Sequence, residues 1–133
     1  MEDRFHLDNF KLHEHLNRFM EYNRIEIYEL SEDKITLRHE VNENSLNING
    51  SVHGGLLTTM MDIAAGTLVR KGGNNCTTCN LNVNFLRPAK GKFVYAKGEF
   101  LKHGKRINVM HAYCVDENDV LLADAVVNMC YID

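Results

Sequence analysis

No stretch of this sequence stays apolar for the roughly 18–20 residues that a membrane-spanning helix requires, so no membrane segment is expected. The N-terminus opens acidic, Met1-Glu2-Asp3-Arg4, and runs into an amphipathic stretch, which does not make a secretory signal. Cysteine is too sparse for a disulfide scaffold: Cys76, Cys79, Cys114 and Cys130 are spread over a 133-residue chain. Cys76-Thr77-Thr78-Cys79 has C-x-x-C spacing, but no second C-x-x-C or H-x3-H completes a zinc site. The residues after it alternate like a strand, whereas a redox pair gains its low thiol pKa at a helix N-terminus. Reduced, structural thiols and no metal are expected. Internal repeats, low-complexity tails and a G-x-S-x-G nucleophile elbow are also missing. A net charge of -3 argues against general nucleic-acid binding. What remains is a soluble, cytoplasmic single domain with an ordinary globular balance of 44% hydrophobic and 25% charged residues.

The charge is unevenly placed. Between Arg87 and Arg106 there are seven basic residues against one acid, Glu99, so the rest of the chain is strongly acidic. Such a run is either a solvated face at strand–loop junctions or a site for a small polyanion, and composition does not choose. Along the chain, Phe5, Leu7, Phe10, Leu12, Leu16, Phe19 and Met20 recur at helical spacing, which predicts a helix over about 5–22. Ile25, Ile27, Ile35 and Leu37 alternate with polar residues around the Ser31-Glu32-Asp33 turn, giving two short strands. Residues 42–51 form a turn-rich loop, and Val52 to Arg70 one long helical run. Four strand-like segments follow near 78–87, 93–101, 106–116 and 120–132, joined by short turns that suggest an antiparallel meander. The order predicts an α+β domain, a long antiparallel sheet curled around one buried helix. Such a sheet leaves an edge or a face uncovered, so at least a homodimer is expected.

The helix from about Gly54 to Arg70 is apolar around most of its circumference, as a buried helix should be. Its exceptions align: Thr58, Asp62 and Gly66 are spaced i, i+4, i+8. A carboxylate in that setting is costly unless it is hydrogen-bonded, paired or facing a wet cleft. Before the helix stands Asn47-x-Asn49-Gly50-Ser51-Val52-His53-Gly54-Gly55. Adjacent glycines at a loop-to-helix junction let a backbone N–H approach a ligand, and the helix N-terminus suits a developing oxyanion.

These residues carry a resemblance. Asn47, Gly50, His53, Gly54, Gly55 and Asp62 match the N-x-x-G-x-x-H-G-G…D pattern of the hotdog-fold acyl-CoA thioesterases of the phenylacetate-pathway type. Asn82-x-Asn84-Phe85-Leu86-Arg87-Pro88-Ala89 also resembles that family's third-strand ending, and the element order agrees over roughly residues 20–132. The resemblance implies one hotdog domain over 1–133, with residues 1–22 as a helical extension. It further implies a homodimer, assembled into a homotetramer, with sites across the dimer interface. Gly54 would offer its N–H to the thioester oxygen, with Gly55 beside it, and Asn47 would polarise the same carbonyl or orient the water. Asp62 would act as general base, or as nucleophile, and Thr78 would help hold the water. His53 would play a supporting part, its ring fixing the Asn47 loop. Asn80, Asn82 and Asn84 are read as sharing the strand face of Thr78, as a polar row.

Thioester hydrolysis needs a donor, a base and water but no cofactor, since coenzyme A belongs to the substrate. The basic run then has a candidate ligand in the phosphates of coenzyme A, through Arg87, Lys90, Lys102, Lys105 and Arg106. A catalytically silent acyl-CoA-binding domain is the alternative, weighed down by the retention of Asp62, Asn47 and Gly54. A hotdog hydratase fits the layout poorly, and acyl-carrier-protein thioesters stay open as substrates.

Overall fold

The structure, a computed structural model, describes residues 17–132. Most of the predicted N-terminal helix lies outside these residues. The helix expected over 5–22 is not continuous, because Asn17 is extended (φ −127°, ψ 173°) and a separate helix, α1 (Arg18–Tyr22), starts after it, with the Asn17 side chain accepting from the Met20 N–H at 2.9 Å and Met20 buried. The chain continues as β1 (Ile25–Leu30), β2 (Lys34–Glu40), a 3-10 turn at Glu43–Ser45 and α2 (Gly54–Arg70). Then come β3 (Cys76–Phe85), β4 (Phe93–Lys102), β5 (Ile107–Asp116) and β6 (Leu121–Tyr131). The helix expected over about 54–70 and all six expected strands are present, and their boundaries differ by only a few residues.

The strand order is β1-β2-β4-β5-β6-β3, antiparallel throughout. This corrects the expectation of a four-strand meander. Strands β4, β5 and β6 form one, but β3 pairs with β6, not with β4, and becomes an edge. The reason lies in α2, which separates β2 from β3 in sequence and carries the chain across the sheet, leaving β4 to pair with β2. The result is the hotdog layout that the resemblance implied.

Alternation along the strands sends one face to the helix. Leu37, Ala96, Met110, Ala112, Cys114, Ala123 and Val127 on that face are fully buried, as are Met60, Met61, Ala64 and Ala65 on α2. Small residues set the helix–sheet distance. A Cβ on Gly98 would stand 3.1 Å from Ile35 Cγ2 and 3.6 Å from Ala64 Cβ, so β4 and α2 approach closely there.

One local irregularity decides where the β3 side chains point. The β3–β6 register runs Thr78↔Met129 and then Asn80↔Asn128, so Cys79 is the extra residue of a β-bulge. Thr78 therefore faces the helix, while Asn80, Asn82 and Asn84 face the outside, where Asn128 Nδ2 donates to Asn80 Oδ1 at 2.8 Å. The expected shared face of Thr78 and the three asparagines is corrected by that single bulge. The bulged Cys79 forms a disulfide with Cys130, their Cα atoms 6.0 Å apart. This overturns the expectation of four reduced thiols, because strand pairing, which sequence spacing does not reveal, brings these two together. Cys76 and Cys114 are free and buried, and burial pushes both thiols up from their ordinary pKa. No described helix is long and apolar enough to cross a membrane.

On the outer face, His111 of β5 sits between Glu99 of β4, at 3.2 Å from Nδ1, and Asp124 of β6, at 2.7 Å from Nε2. Burial pulls the imidazolium down, but the bonds to Asp124 and Glu99 outweigh it and the net shift is upward. A raised folded-state pKa stabilises the protonated form in the fold. That contribution is complete below the ordinary value of 6.5 and is lost as pH rises through the higher folded value. Melting curves across this window should therefore fall more steeply with pH for wild type than for His111→Gln; parallel curves would show that the triad adds no pH-linked stability.

Candidate functional site

The loop before α2 is built around the Asn47 side chain. Its Oδ1 accepts from the backbone N–H of Asn49 at 2.8 Å and of Ser51 at 3.2 Å, which fixes the amide orientation and leaves Nδ2 as the outward donor. Gly50 N–H closes the turn on Asn47 O at 3.0 Å, with φ of 79° that favours glycine. A bridge between Leu46 and Val52 clamps the loop, and Val52 N–H binds Ala89 O at 2.9 Å.

The expected support from the His53 ring is not how this loop is held. His53 is exposed at the N-cap and makes no side-chain capping bond; only its backbone N–H binds Ser45 O, at 2.9 Å. The supporting histidine is His39 of β2, which sequence reading passed over. Its Nδ1 lies 3.3 Å from Arg24 O, so that nitrogen carries the proton, and Nε2 accepts from Ser45 Oγ at 2.8 Å. Burial lowers its pKa, keeping the ring neutral in this role. Nothing in its strand-like neighbourhood signals this, because the partners Arg24 and Ser45 meet it only through the β1–β2 pairing and the 3-10 turn.

Gly54 and Gly55 start α2, where the first N–H groups have no partner within the helix. A Cβ on Gly54 would stand 3.1 Å from Phe85 Cζ, so glycine lets the β3 end close over the helix start. At Gly55 nothing lies within 4 Å of a Cβ, and no contact within the described chain calls for glycine. Asn47, Gly54, Leu57, Phe85 and Arg87 border one cleft of about 310 Å³.

Asp62 lies elsewhere. Thr78 Oγ1 donates to Asp62 Oδ1 at 2.6 Å, a short charge-assisted bond that meets part of the cost of a half-buried carboxylate. The two border a separate cavity of about 340 Å³ with Met20, Thr67, Arg70 and Met129. Eight residues of helix part Gly54 from Asp62, about 12 Å at 1.5 Å per residue. The structure thus brings Asp62 to Thr78 and Asn47 to Gly54, but does not bring the two pairs together within one chain.

The basic run is also divided. Arg87, whose Nη1 donates to Leu121 O at 3.0 Å, borders the Gly54 cleft, with Lys90 at the same end of the sheet. Lys102, Lys105 and Arg106 lie at the opposite end of the ten-residue β4, roughly 30 Å away. The expected single window of five contacts is two clusters. Among the described residues, no group of three or more His, Cys, Asp or Glu could hold a metal ion.

Comparison with known proteins adds the following. A family model described as the thioesterase superfamily matches residues 49–123, from the Asn47 loop to the start of β6. A protein of Halobacterium salinarum, provisionally named an esterase, is 32% identical over 109 residues, covering 76% of this chain and 70% of that protein. The Escherichia coli PaaI protein, from the phenylacetic acid degradation operon, superposes with a TM-score of 0.84 at 21% identity. That match covers 88% of this chain and 86% of the other, and speaks for the fold. A Streptococcus pneumoniae protein described as a hypothetical thioesterase, crystallised with coenzyme A, superposes at 0.77 with 26% identity. It covers 81% of this chain and 85% of its own.

The two glycines give a separable test. Gly55→Ala should leave thermal stability unchanged or raise it, since alanine favours helix by up to about 1 kcal/mol and meets no described neighbour. Gly54→Ala should lower it, because the Phe85 ring must retreat. Equal melting shifts for the two variants would contradict this assignment of the glycines.

Proposed function

The chain belongs to the thioesterase superfamily, and from that membership we propose that it hydrolyses an acyl-CoA thioester to the free acid and coenzyme A. Family membership supports thioester hydrolysis in general; the observation that carries the finer reading is the Thr78-held Asp62 carboxylate beside an open polar cavity. A carboxylate placed there can take a proton from water, and the resulting hydroxide attacks the thioester carbon. The developing oxyanion needs donors about 2.7–3.1 Å away. Gly54 N–H and Asn47 Nδ2 are such donors, but about 12 Å of helix separates them from Asp62 in the same chain. The site therefore joins Asp62 and Thr78 of one subunit to the partner subunit's Gly54 and Asn47. The tetrahedral intermediate collapses with cleavage of the carbon–sulfur bond, and the thiolate takes the proton that Asp62 held. No cofactor enters this scheme.

The edge strand β3 supports a two-fold partner. Its ten residues pair on one side only among the described residues, leaving a long edge that a second copy of the strand covers. Pairing of the resulting dimers into a homotetramer is part of the same proposal. Arg87, at the Gly54 cleft, is the basic residue best placed for a coenzyme A phosphate, with Lys90 at the same end of the sheet.

Asp62→Asn should lower kcat by about 10²–10⁴-fold while fold and assembly persist, as loss of a general base does. Near-normal turnover would remove Asp62 from the mechanism. Mixing Asp62→Ala with Asn47→Ala subunits, each nearly inactive alone, tests the shared site. After random reassortment half the dimers are mixed and each has one whole site, so activity should return to about a quarter of wild type. Exchange demonstrated by mass-tagged subunits, with no recovery, would place both groups in one chain's site. Arg87→Ala should raise KM several-fold with kcat little changed, the signature of uniform binding. Unaltered KM would leave Arg87 a strand-end residue that merely binds the Leu121 carbonyl.

A further inference from the structure

We propose that the acyl group received beside Asp62 is short and ends in a carboxylate, which Arg70 binds; the proposal rests on the hydrolase reading above and names the substrate class of that site. Arg70 continues the polar stripe of α2, two turns beyond Asp62, and both border the same cavity of about 340 Å³. Its side chain folds back along the helix. A Cβ on Gly66 would stand 2.8 Å from Arg70 Nη1 and 3.6 Å from Cζ, so glycine at 66 lets the guanidinium lie one turn closer to Asp62.

Among the described residues no carboxylate pairs with this charge. Nε bonds Asn75 Oδ1 at 3.3 Å and Nη2 bonds Cys76 O at 3.1 Å, both neutral acceptors. No carboxylate of the described residues lies within the 4.0 Å ion-pair distance of Arg70, Asp62 included. Holding the start of β3 uses two of the five guanidinium donors, and Nη1, the nitrogen against Gly66, bonds no described residue. A half-buried guanidinium in a cavity, with donors to spare, is matched by an anion that enters with the substrate.

The reach sets the length. Gly66 is four residues from Asp62, about 6 Å along the axis. An extended chain of three carbon–carbon bonds advances about 3.6 Å, and a carboxylate–guanidinium bond covers about 2.8 Å more. Two methylenes between the thioester carbonyl and the carboxylate thus fit the gap, with Ile63 and Met129 as their apolar contacts. A neutral acyl chain of the same length would desolvate the guanidinium without pairing it.

The test compares succinyl-CoA with butyryl-CoA, equal in length and differing in a terminal carboxylate against a methyl. Wild type should favour succinyl-CoA in kcat/KM by about 10- to 100-fold, the range of a hydrogen bond to a charged group. Arg70→Gln should collapse this ratio towards one, and Arg70→Lys should restore part of it. Free succinate should also inhibit wild type more strongly than butyrate does, a readout that needs no variant to fold. A wild-type ratio near one, equal inhibition by the two acids, or an unchanged ratio in Arg70→Gln overturns the proposal while turnover of either thioester leaves the hydrolase reading standing. No turnover of these or of aromatic and long-chain acyl-CoAs overturns both.

Discussion

One extra residue in β3 sets the direction of the Thr78 side chain, and the candidate chemistry depends on that direction. Without the bulge at Cys79, the alternation that sends Asn80, Asn82 and Asn84 outward would send Thr78 outward too. Asp62 would then sit on a largely buried helix without its 2.6 Å hydrogen bond. A carboxylate left so would cost free energy that neither Met20 nor Met129, its apolar cavity neighbours, could offset. The Cys79–Cys130 disulfide ties the bulged residue to β6, so the same irregularity that aims Thr78 is also cross-linked to the neighbouring strand.

Much of the fold was legible because it follows from local patterns. The α2 boundaries come from glycines at one end and the Lys71-Gly72-Gly73 breaker at the other, and the strands from period-2 alternation. Strand order was not legible, since nothing local to β3 says that it pairs with β6 across fifty residues of chain. The bulge and the disulfide were lost with it. Asp62 was legible as a misfit, an acid on a buried helix, and Asn47 and Gly54 as a glycine-rich helix entry. His39 was not, because its partners are backbone and hydroxyl groups assembled by tertiary structure. Arg70 looked like an ordinary basic residue in a last helical turn; only its folding back over Gly66 sets it apart.

The two ends of α2 do different electrostatic work. At the N-terminus, unpaired N–H groups and the outward Asn47 amide offer positive partial charge, and the Arg87 guanidinium borders the same cleft. Towards the C-terminus the helix carries a carboxylate and, past Gly66, a guanidinium, each bordering the same cavity. The groups proposed as oxyanion donor and as base, Gly54 N–H and Asp62, therefore stand on one rigid element whose length keeps them apart. A rigid rod cannot bend to bring its own ends onto one carbonyl carbon, which is why the proposed site draws on two subunits.

The glycines of α2 bear on the same point. Glycine within a helix costs up to about 1 kcal/mol against alanine, and a buried helix retains it where something arrives too close for a methyl group. At Gly54 that something is the Phe85 ring, and at Gly66 it is the Arg70 guanidinium with the Met129 methyl at 3.3 Å. At Gly55 the space is empty in the described chain. No described residue calls for glycine at 55, which stands beside the very N–H groups that the proposed chemistry assigns to the oxyanion.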